Sequence, residues 1–156
     1  MSLEIQKFSH VVMPVSDLAR SVDFYHGLLG LPKLFERSFT DPRTGRTQLV
    51  VGVVVGEAVV LEMGADPERP RRVDGSSAPI LALSVADIHD AHRRLLEVGV
   101  TPVMPPTEMV PGLFMLFLRD PDGRTIELAQ FPGGATCSLD YARATAAASV
   151  DDARRD

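Results

Sequence analysis

The stretch His10-Val11-Val12-Met13-Pro14-Val15-Ser16-Asp17-Leu18 opens a unit that the chain repeats. The second copy begins Ile80-Leu81-Ala82-Leu83-Ser84-Val85-Ala86-Asp87-Ile88. In both copies an apolar, strand-like run leads to an aspartate that can cap a helix. A helical pattern follows and ends at a glycine, Gly30 or Gly99. The repeat therefore predicts two modules built in the same way.

Each copy continues with further strand-like runs, which are separated by turn residues. In the first copy these runs are Lys33–Phe39, Thr47–Val55 and Glu57–Met63. In the second copy they are Val100–Met104, Leu113–Leu118 and Thr125–Phe131, with a loop predicted over the Pro-rich stretch 105–112. The sequence predicts an α+β fold in which two tandem β-α-β-β-β modules form a cupped mixed β-sheet with the helices outside.

The predicted boundaries follow changes in composition. Residues 1–64 form the first module, and residues 65–78, rich in Asp, Pro, Arg, Gly and Ser, form a linker. Residues 79–131 form the second module, and residues 132–156 form a tail with a short Ala-rich helix over Leu139–Ala148. A chain of 156 residues fits one domain made of both modules.

Composition restricts the class of protein. A net charge of −5 argues against a nucleic-acid binder, and no apolar run approaches the roughly 18 residues that cross a membrane. The first residues lack a basic region followed by an apolar stretch, so no secretory signal is expected. One cysteine, Cys137, excludes an internal disulfide and suits a reducing compartment. These features predict a cytoplasmic protein that binds neither nucleic acid nor membrane.

Three ionisable residues lie among apolar neighbours in predicted strands: His10, Glu62 and Glu127. An unpaired charge is unfavourable in such a setting, so each residue should have a partner. One imidazole with two carboxylates suits a divalent ion such as Zn, Ni, Mn or Fe(II). The alternative is that His10 is a hydrogen-bonded core residue and that a glutamate pairs with an arginine such as Arg37 or Arg46.

Two motifs resemble the vicinal oxygen chelate superfamily, which includes glyoxalase I, extradiol dioxygenases and bleomycin resistance proteins. The resemblance covers residues from about 8 to 131. The first motif is His10…Val15-Ser16-Asp17-Leu18…Phe24-Tyr25…Leu29-Gly30-Leu31. The second motif is Leu118-Arg119-Asp120-Pro121-Asp122-Gly123…Ile126-Glu127-Leu128.

The resemblance implies a metal that chelates two adjacent oxygens of a substrate, with ligands from the first and last strands of each module. His10, Glu62 and Glu127 match ligand positions. Ile80 stands where metal-dependent members commonly have a second histidine, which leaves three ligands and also fits the metal-free members. A dioxygenase is disfavoured because its iron site resembles a set of two histidines and one carboxylate.

The leading prediction is a glyoxalase-like enzyme, a metal-assisted lyase or isomerase whose small-molecule substrate carries adjacent oxygens. Glu62 is both a predicted ligand and the predicted base that moves a proton at the neighbouring carbon. The alternative is a metal-free ligand-binding protein of the bleomycin-resistance type that sequesters an antibiotic or aromatic compound. A third class, a purely structural module, requires the cup to be filled by side chains. Related chains of this length usually pair, so a homodimer is expected.

Overall fold

A computed structural model describes residues 7–57, 59–68 and 72–152, the last six of them by their backbone alone. The chain divides into two compact units. The first unit comprises Met1–Gly75 together with Asp120–Asp122, and the second comprises Ser76–Arg119 together with Gly123–Asp156.

The first unit contains one four-stranded sheet in the order β1-β4-β3-β2. Strand β1 pairs with β4 in parallel, and the other neighbours are antiparallel. A π-helical segment, Asp23–Leu28, continues the only α-helix described in this unit. In chain order the elements are β1 (His10–Pro14), α1 (Leu18–Val22), β2 (Lys33–Thr40), β3 (Thr47–Val55) and β4 (Val59–Ala65).

The second unit repeats this arrangement, with strand order β5-β8-β7-β6 and a parallel β5–β8 pair. Its elements are β5 (Leu81–Ser84), α2 (Ile88–Glu97), β6 (Met104–Val110), β7 (Leu113–Arg119), β8 (Thr125–Gln130) and α3 (Ser138–Asp152). The predicted α+β class and the two tandem β-α-β-β-β modules are confirmed. Helix α3 lies where the sequence predicts a short tail helix over Leu139–Ala148.

The first helix of each unit starts and stops in the same way. The Asp17 carboxylate accepts a hydrogen bond from the Arg20 N–H at 3.1 Å, and Asp87 accepts from the N–H groups of His89 and Asp90 at 2.9 Å. Beyond the helices, Gly30 and Gly99 take φ values of 70° and 78°, a conformation that favours glycine. Equivalent local signals therefore produce equivalent helices.

One face of each sheet is buried, and the helices α1 and α2 pack on it. In the first unit, the buried apolar residues include Met13, Val53, Leu61, Met63 and the ring of Tyr25. In the second unit, they include Ile88, Leu95, Leu116, Leu118, Ile126 and Leu128. Because successive strand residues point to opposite faces, the residues between these core positions lie on the other face of each sheet. We call this other face the open face of each sheet.

Two local predictions are wrong. The strand predicted over Val100–Met104 instead begins at Met104 and runs through the stretch predicted as a Pro-rich loop. Strand β6 lies at the sheet edge and has two register irregularities. Proline, which has no N–H group to donate to a neighbouring strand, is tolerated at such positions. The helical spacing of the second copy predicts that Leu95 and Leu96 face inward together, but Leu96 is 49% exposed because Leu95 and Ile88 occupy the buried face of α2. The first predicted helix changes to a π-helix at Asp23.

Among the described residues, no helix is both long and apolar enough to cross a membrane.

Candidate active site

His10 lies at the start of β1, on the open face of the first unit's sheet. Its side chain is exposed, and its Nδ1 atom is 2.9 Å from the Ser9 hydroxyl. A hydroxyl can donate or accept, so it can engage Nδ1 in either tautomer of the ring. The contact leaves Nε2 as the ring nitrogen that can meet an ion or a substrate.

Glu62 lies on the same face, in the neighbouring strand β4. The register pairs Val12 with Glu62 and His10 with Val60, so His10 and Glu62 are diagonal neighbours. Strand spacing and rise place their Cα atoms about 8 Å apart. The sheet thus brings two of the three predicted site residues onto one surface.

Glu62 forms an ion pair with Arg37 from β2. The Nη2 atom of Arg37 is 3.6 Å from Oε1 of Glu62, and the two side chains are 59% and 21% exposed. The pair agrees with the alternative in which an arginine neutralises this glutamate. No hydrogen bond joins the two groups among the described residues, so the contact is a loose one.

Arg37 also packs against an aromatic ring. Its guanidinium carbon lies 4.4 Å from the centroid of the Phe35 ring, which is a cation–π geometry. Phe35 in turn lies over Gly52 of β3, where an added Cβ would come within 2.5 Å of the ring. The absence of a side chain at Gly52 therefore allows the ring to lie on the sheet and to support Arg37.

Glu127 lies on β8, in the second unit, beside Ala82 of β5 and Phe117 of β7. All three residues lie on the open face of this sheet, opposite the buried Ile126 and Leu128. Burial among these neighbours raises the pKa of the Glu127 carboxyl above its ordinary value. Within the described residues its carboxyl makes no hydrogen bond or ion pair. Such a carboxylate favours a cation or a proton more than a solvated one does.

Ile80, at the position of the expected second histidine, immediately precedes β5 and is 54% exposed. Ala82 and Ser84 follow at alternate positions and are also exposed. This edge of the second sheet therefore presents small or apolar side chains in place of an imidazole.

The donor types fit a divalent ion in part. One imidazole nitrogen and one carboxylate lie on the first sheet, and a carboxylate that has no partner among the described residues lies on the second. Neither unit, over the part of the chain that is described, contains a group of three His, Cys, Asp or Glu side chains that could hold a metal. The three-residue ligand set therefore stays a prediction.

The Asp-Pro-Asp-Gly run of the second motif has a structural role that turn chemistry alone does not predict. The Tyr25 hydroxyl donates to Asp120 at 2.8 Å, and the Ser16 N–H donates to Asp122 at 3.1 Å. The Asp122 carbonyl accepts from the N–H of Gly75 at 2.8 Å. These aspartates therefore hold the first unit together.

The sequence offers Arg37 as an alternative partner for a site glutamate, but nothing in it indicates that Phe35 and Gly52 belong to the site. Because alternate residues of a strand share a face, the sequence alone places Phe35 and Arg37 on the same face of β2. The neighbour beneath them, Gly52, depends on the strand register, which the sequence does not reveal.

Comparison with known proteins agrees with this fold. The sequence model of the Glyoxalase/Bleomycin resistance protein/Dioxygenase superfamily matches residues 7–128. A superfamily member from Sphaerobacter thermophilus of known crystal structure is 30% identical, with a TM-score of 0.63, over 82% of this chain and 99% of that one.

Two curated proteins are more distant relatives. A lactoylglutathione lyase of Neisseria meningitidis serogroup A is 28% identical over 80% of this chain and 91% of its own length. A virulence protein of Salmonella typhimurium is 28% identical over 81% of this chain and 85% of its own length. The chain belongs to the glyoxalase/bleomycin resistance protein/dioxygenase superfamily, the vicinal oxygen chelate proteins.

Proposed function

We propose that the protein is a glyoxalase-like enzyme, a metal-assisted lyase or isomerase acting on a small molecule with adjacent oxygens. The observation that carries this proposal is the placement of His10 and Glu62 as diagonal neighbours on one open sheet face. The similarity to a lactoylglutathione lyase supports the same class of reaction. We further propose that the enzyme works as a homodimer in the cytoplasm.

His10, Glu62 and Glu127 are the proposed ligands of a divalent ion, Zn, Ni, Mn or Fe(II). When bound, such an ion polarises a carbonyl and stabilises the negative charge that develops on its oxygen. Glu127 suits this role because it is partly buried and has no partner in the described part of the chain, and a cation would offset that unfavourable setting.

Glu62 is the proposed base. Its carboxylate is 21% exposed on the open face, so it is accessible to a substrate while its surroundings limit its motion. It would take a proton from the carbon next to the substrate carbonyl and return it to the neighbouring carbon in an isomerisation. The loose contact with Arg37 leaves the carboxylate able to exchange this partner for a substrate.

The second candidate is a metal-free protein that binds a flat aromatic compound. The observation that favours it is the presence of aromatic side chains on the open faces, where the Phe35 ring packs over Gly52 and Phe117 lies beside Glu127. Ile80 supports it as well, since this residue cannot ligate a metal.

Solvent exchange provides the test that separates the candidates. Protein that has been treated with a chelator and reloaded with each metal is incubated in deuterated water with 2-oxoaldehydes and thiols, and with lactoylglutathione. NMR then detects proton exchange and product formation. We expect turnover that disappears on chelation and falls at least about a hundredfold in Glu62→Gln, the range for loss of a positioned base.

Glu36→Gln is the matched control, because Glu36 is an exposed β2 glutamate that pairs only with Lys33 at 3.1 Å among the described residues. Full activity after chelation, or in Glu62→Gln, would contradict the proposal. Absence of turnover with every metal, together with tight binding of bleomycin or an aromatic compound to the metal-free protein, would establish the second candidate instead.

A further inference from the structure

Four side chains form a row across the open face of the second sheet, one from each strand. The register pairs Glu127 of β8 with Ala82 of β5 on one side and with Phe117 of β7 on the other. Phe117 pairs in turn with Met104 of the edge strand β6. Residues that lie opposite each other in a sheet have their Cβ atoms about 5 Å apart, so one small molecule can contact the carboxylate and the ring together. We call these four residues the carboxylate row.

The Glu127 carboxylate has no positive partner among the described residues of its own unit. Arg119 shares the open face, two residues beyond Phe117 on β7. Its guanidinium, however, donates to the Gly123 carbonyl at 3.1 Å and to the hydroxyl of Thr125. No ion pair joins Arg119 to Glu127 in the part of the chain that the structure describes. The positive charge on this face is therefore engaged at the β7–β8 turn, and the Glu127 carboxylate is left for another cation.

The neighbours of Glu127 favour a cation that carries apolar groups. Ala82 is small and exposed, and Phe117 and Met104 are partly exposed, so an apolar body can lie along the row. An aromatic ring attracts ammonium groups, and a carboxylate beside it adds a charge-assisted hydrogen bond. Burial makes the charged form of Glu127 unfavourable and raises the pKa of its carboxyl, and a cation in contact offsets this cost. The net charge of −5 also attracts cations to the protein.

We propose that the carboxylate row binds an organic cation, a small molecule with an ammonium group on an apolar body. The ammonium group lies between the Glu127 carboxylate and the Phe117 ring, and the apolar body lies along the row. Binding of this kind goes beyond the proposed function, because it requires neither a metal ion nor a reaction. A metal ion and an ammonium group would both use the Glu127 carboxylate, so the two are tested separately.

The experiment is an NMR titration of the full-length, chelator-treated protein at pH 7 and low salt. The probes are benzylammonium, benzyl alcohol and benzoate, which share a phenyl ring and differ in charge. The backbone amide signals of Ala82, Phe117 and Glu127 report whether a probe binds at the row. A repeat at high salt measures the electrostatic part of the affinity, because salt screens the attraction between partly exposed charges.

We expect benzylammonium to bind more tightly than benzyl alcohol, and benzoate to bind most weakly. Glu127→Gln keeps the shape of the side chain and removes its charge. This variant should weaken benzylammonium binding at least about fivefold and abolish its advantage over benzyl alcohol. Phe117→Leu should weaken benzylammonium binding about two- to fivefold. Glu108→Gln is the matched control and should change nothing, because Glu108 is an exposed glutamate of the same unit that accepts the Gly112 N–H at 2.8 Å.

Three results would overturn the inference. One is that the unaltered protein binds none of the probes, or binds benzylammonium no more tightly than benzyl alcohol. Another is an equal loss of affinity in Glu127→Gln and Glu108→Gln, which would indicate a general effect of negative charge. The last is a set of signal changes confined to amides outside the carboxylate row. Each of these results would leave the proposed metal chemistry standing, since metal content is measured independently.

The reverse outcome is equally distinct. A protein that binds benzylammonium through Glu127 but neither retains nor reloads a metal ion would support the inference. That combination would overturn only the proposed metal chemistry.

Discussion

The hydroxyl of Tyr25 donates a 2.8 Å hydrogen bond to the buried carboxylate of Asp120, 95 residues further along the chain. Tyr25 is fully buried, and Asp120 is 5% exposed. The bond joins the π-helical segment of the first unit to the short piece of chain, Asp120–Asp122, that belongs to that unit. One residue from each of the two motifs therefore takes part in the same hydrogen bond, which stabilises the first unit.

Replacement of Tyr25 by phenylalanine should lower the free energy of unfolding by about 1.5–3 kcal/mol, the range for a hydrogen bond to a charged group. Urea unfolding followed by circular dichroism measures the change. Tyr141→Phe is the control, since its ring packs near Phe131 at 5.9 Å and its hydroxyl makes no hydrogen bond within the described part of the chain. Equal stabilities for the two variants would contradict the role given to Tyr25.

Stability should depend on pH through Glu127. Burial raises the pKa of this carboxyl in the folded protein above its ordinary value of 4.5, so the folded state binds the proton more tightly than the unfolded state does. The resulting stabilisation is complete below the unfolded pKa and is lost as the pH rises through the folded pKa. Glu127→Gln should therefore be more stable than the unaltered protein at pH 7, with the difference shrinking as the pH falls toward 4.5.

Thermal unfolding of both proteins between pH 4 and 8, without metal, tests this expectation. The control is Glu108→Gln, because the Glu108 carboxylate is exposed and accepts the Gly112 N–H at 2.8 Å. A stability difference for Glu127→Gln that stays constant over this range, or that has the opposite sign at pH 7, would show that folding does not raise the pKa of Glu127.

The two capping aspartates should differ in their contributions. Asp87 accepts hydrogen bonds from two N–H groups and begins the 10-residue α2, whereas Asp17 accepts one and begins the 5-residue α1. Loss of a cap costs about 0.5–2 kcal/mol. Asp87→Ala should therefore destabilise the protein toward the upper end of this range and Asp17→Ala toward the lower end, as chemical denaturation would measure. The reverse order would indicate that the caps do not determine these differences.

Gly52 should tolerate a side chain poorly. A Cβ at this position would lie 2.5 Å from the Phe35 ring, so Gly52→Ala should displace the ring and destabilise the protein by about 1–3 kcal/mol. Gly64 is the matched control in the adjacent strand, where a Cβ would meet only the flexible end of Gln48 at 3.3 Å as its nearest neighbour. Chemical denaturation compares the two alanine variants. If the Gly52→Ala protein is as stable as Gly64→Ala, the Phe35 ring can adopt another position without loss of stability.

Much of the fold could be predicted because its signals are local. The strand-like run, the capping aspartate and the terminal glycine occur in that order in both copies, and each signal acts within a few residues. The sequence does not predict strand β6 because its prolines indicate a loop, although an edge strand tolerates residues that lack an N–H group. Position in the sheet decides this case, and position is not a local property.

The site was less predictable for a similar reason. The alternation of strand residues places His10 and Glu62 on faces of their strands, but only the register makes them diagonal neighbours. The Arg37–Glu62 contact spans β3, so neither the partner nor the support from Phe35 follows from spacing along the chain. The placement of Glu127 among Ala82 and Phe117 depends on register in the same way.

The central claim is that His10, Glu62 and Glu127 hold one divalent ion. Elemental analysis of the purified protein tests it most directly, before and after chelation and reloading with Ni, Zn, Mn or Fe(II), alongside His10→Ala and Glu127→Ala. We predict close to one ion per chain in the unaltered protein and its loss from both variants. A protein that neither retains nor reloads metal, or variants that keep it fully, would contradict the claim.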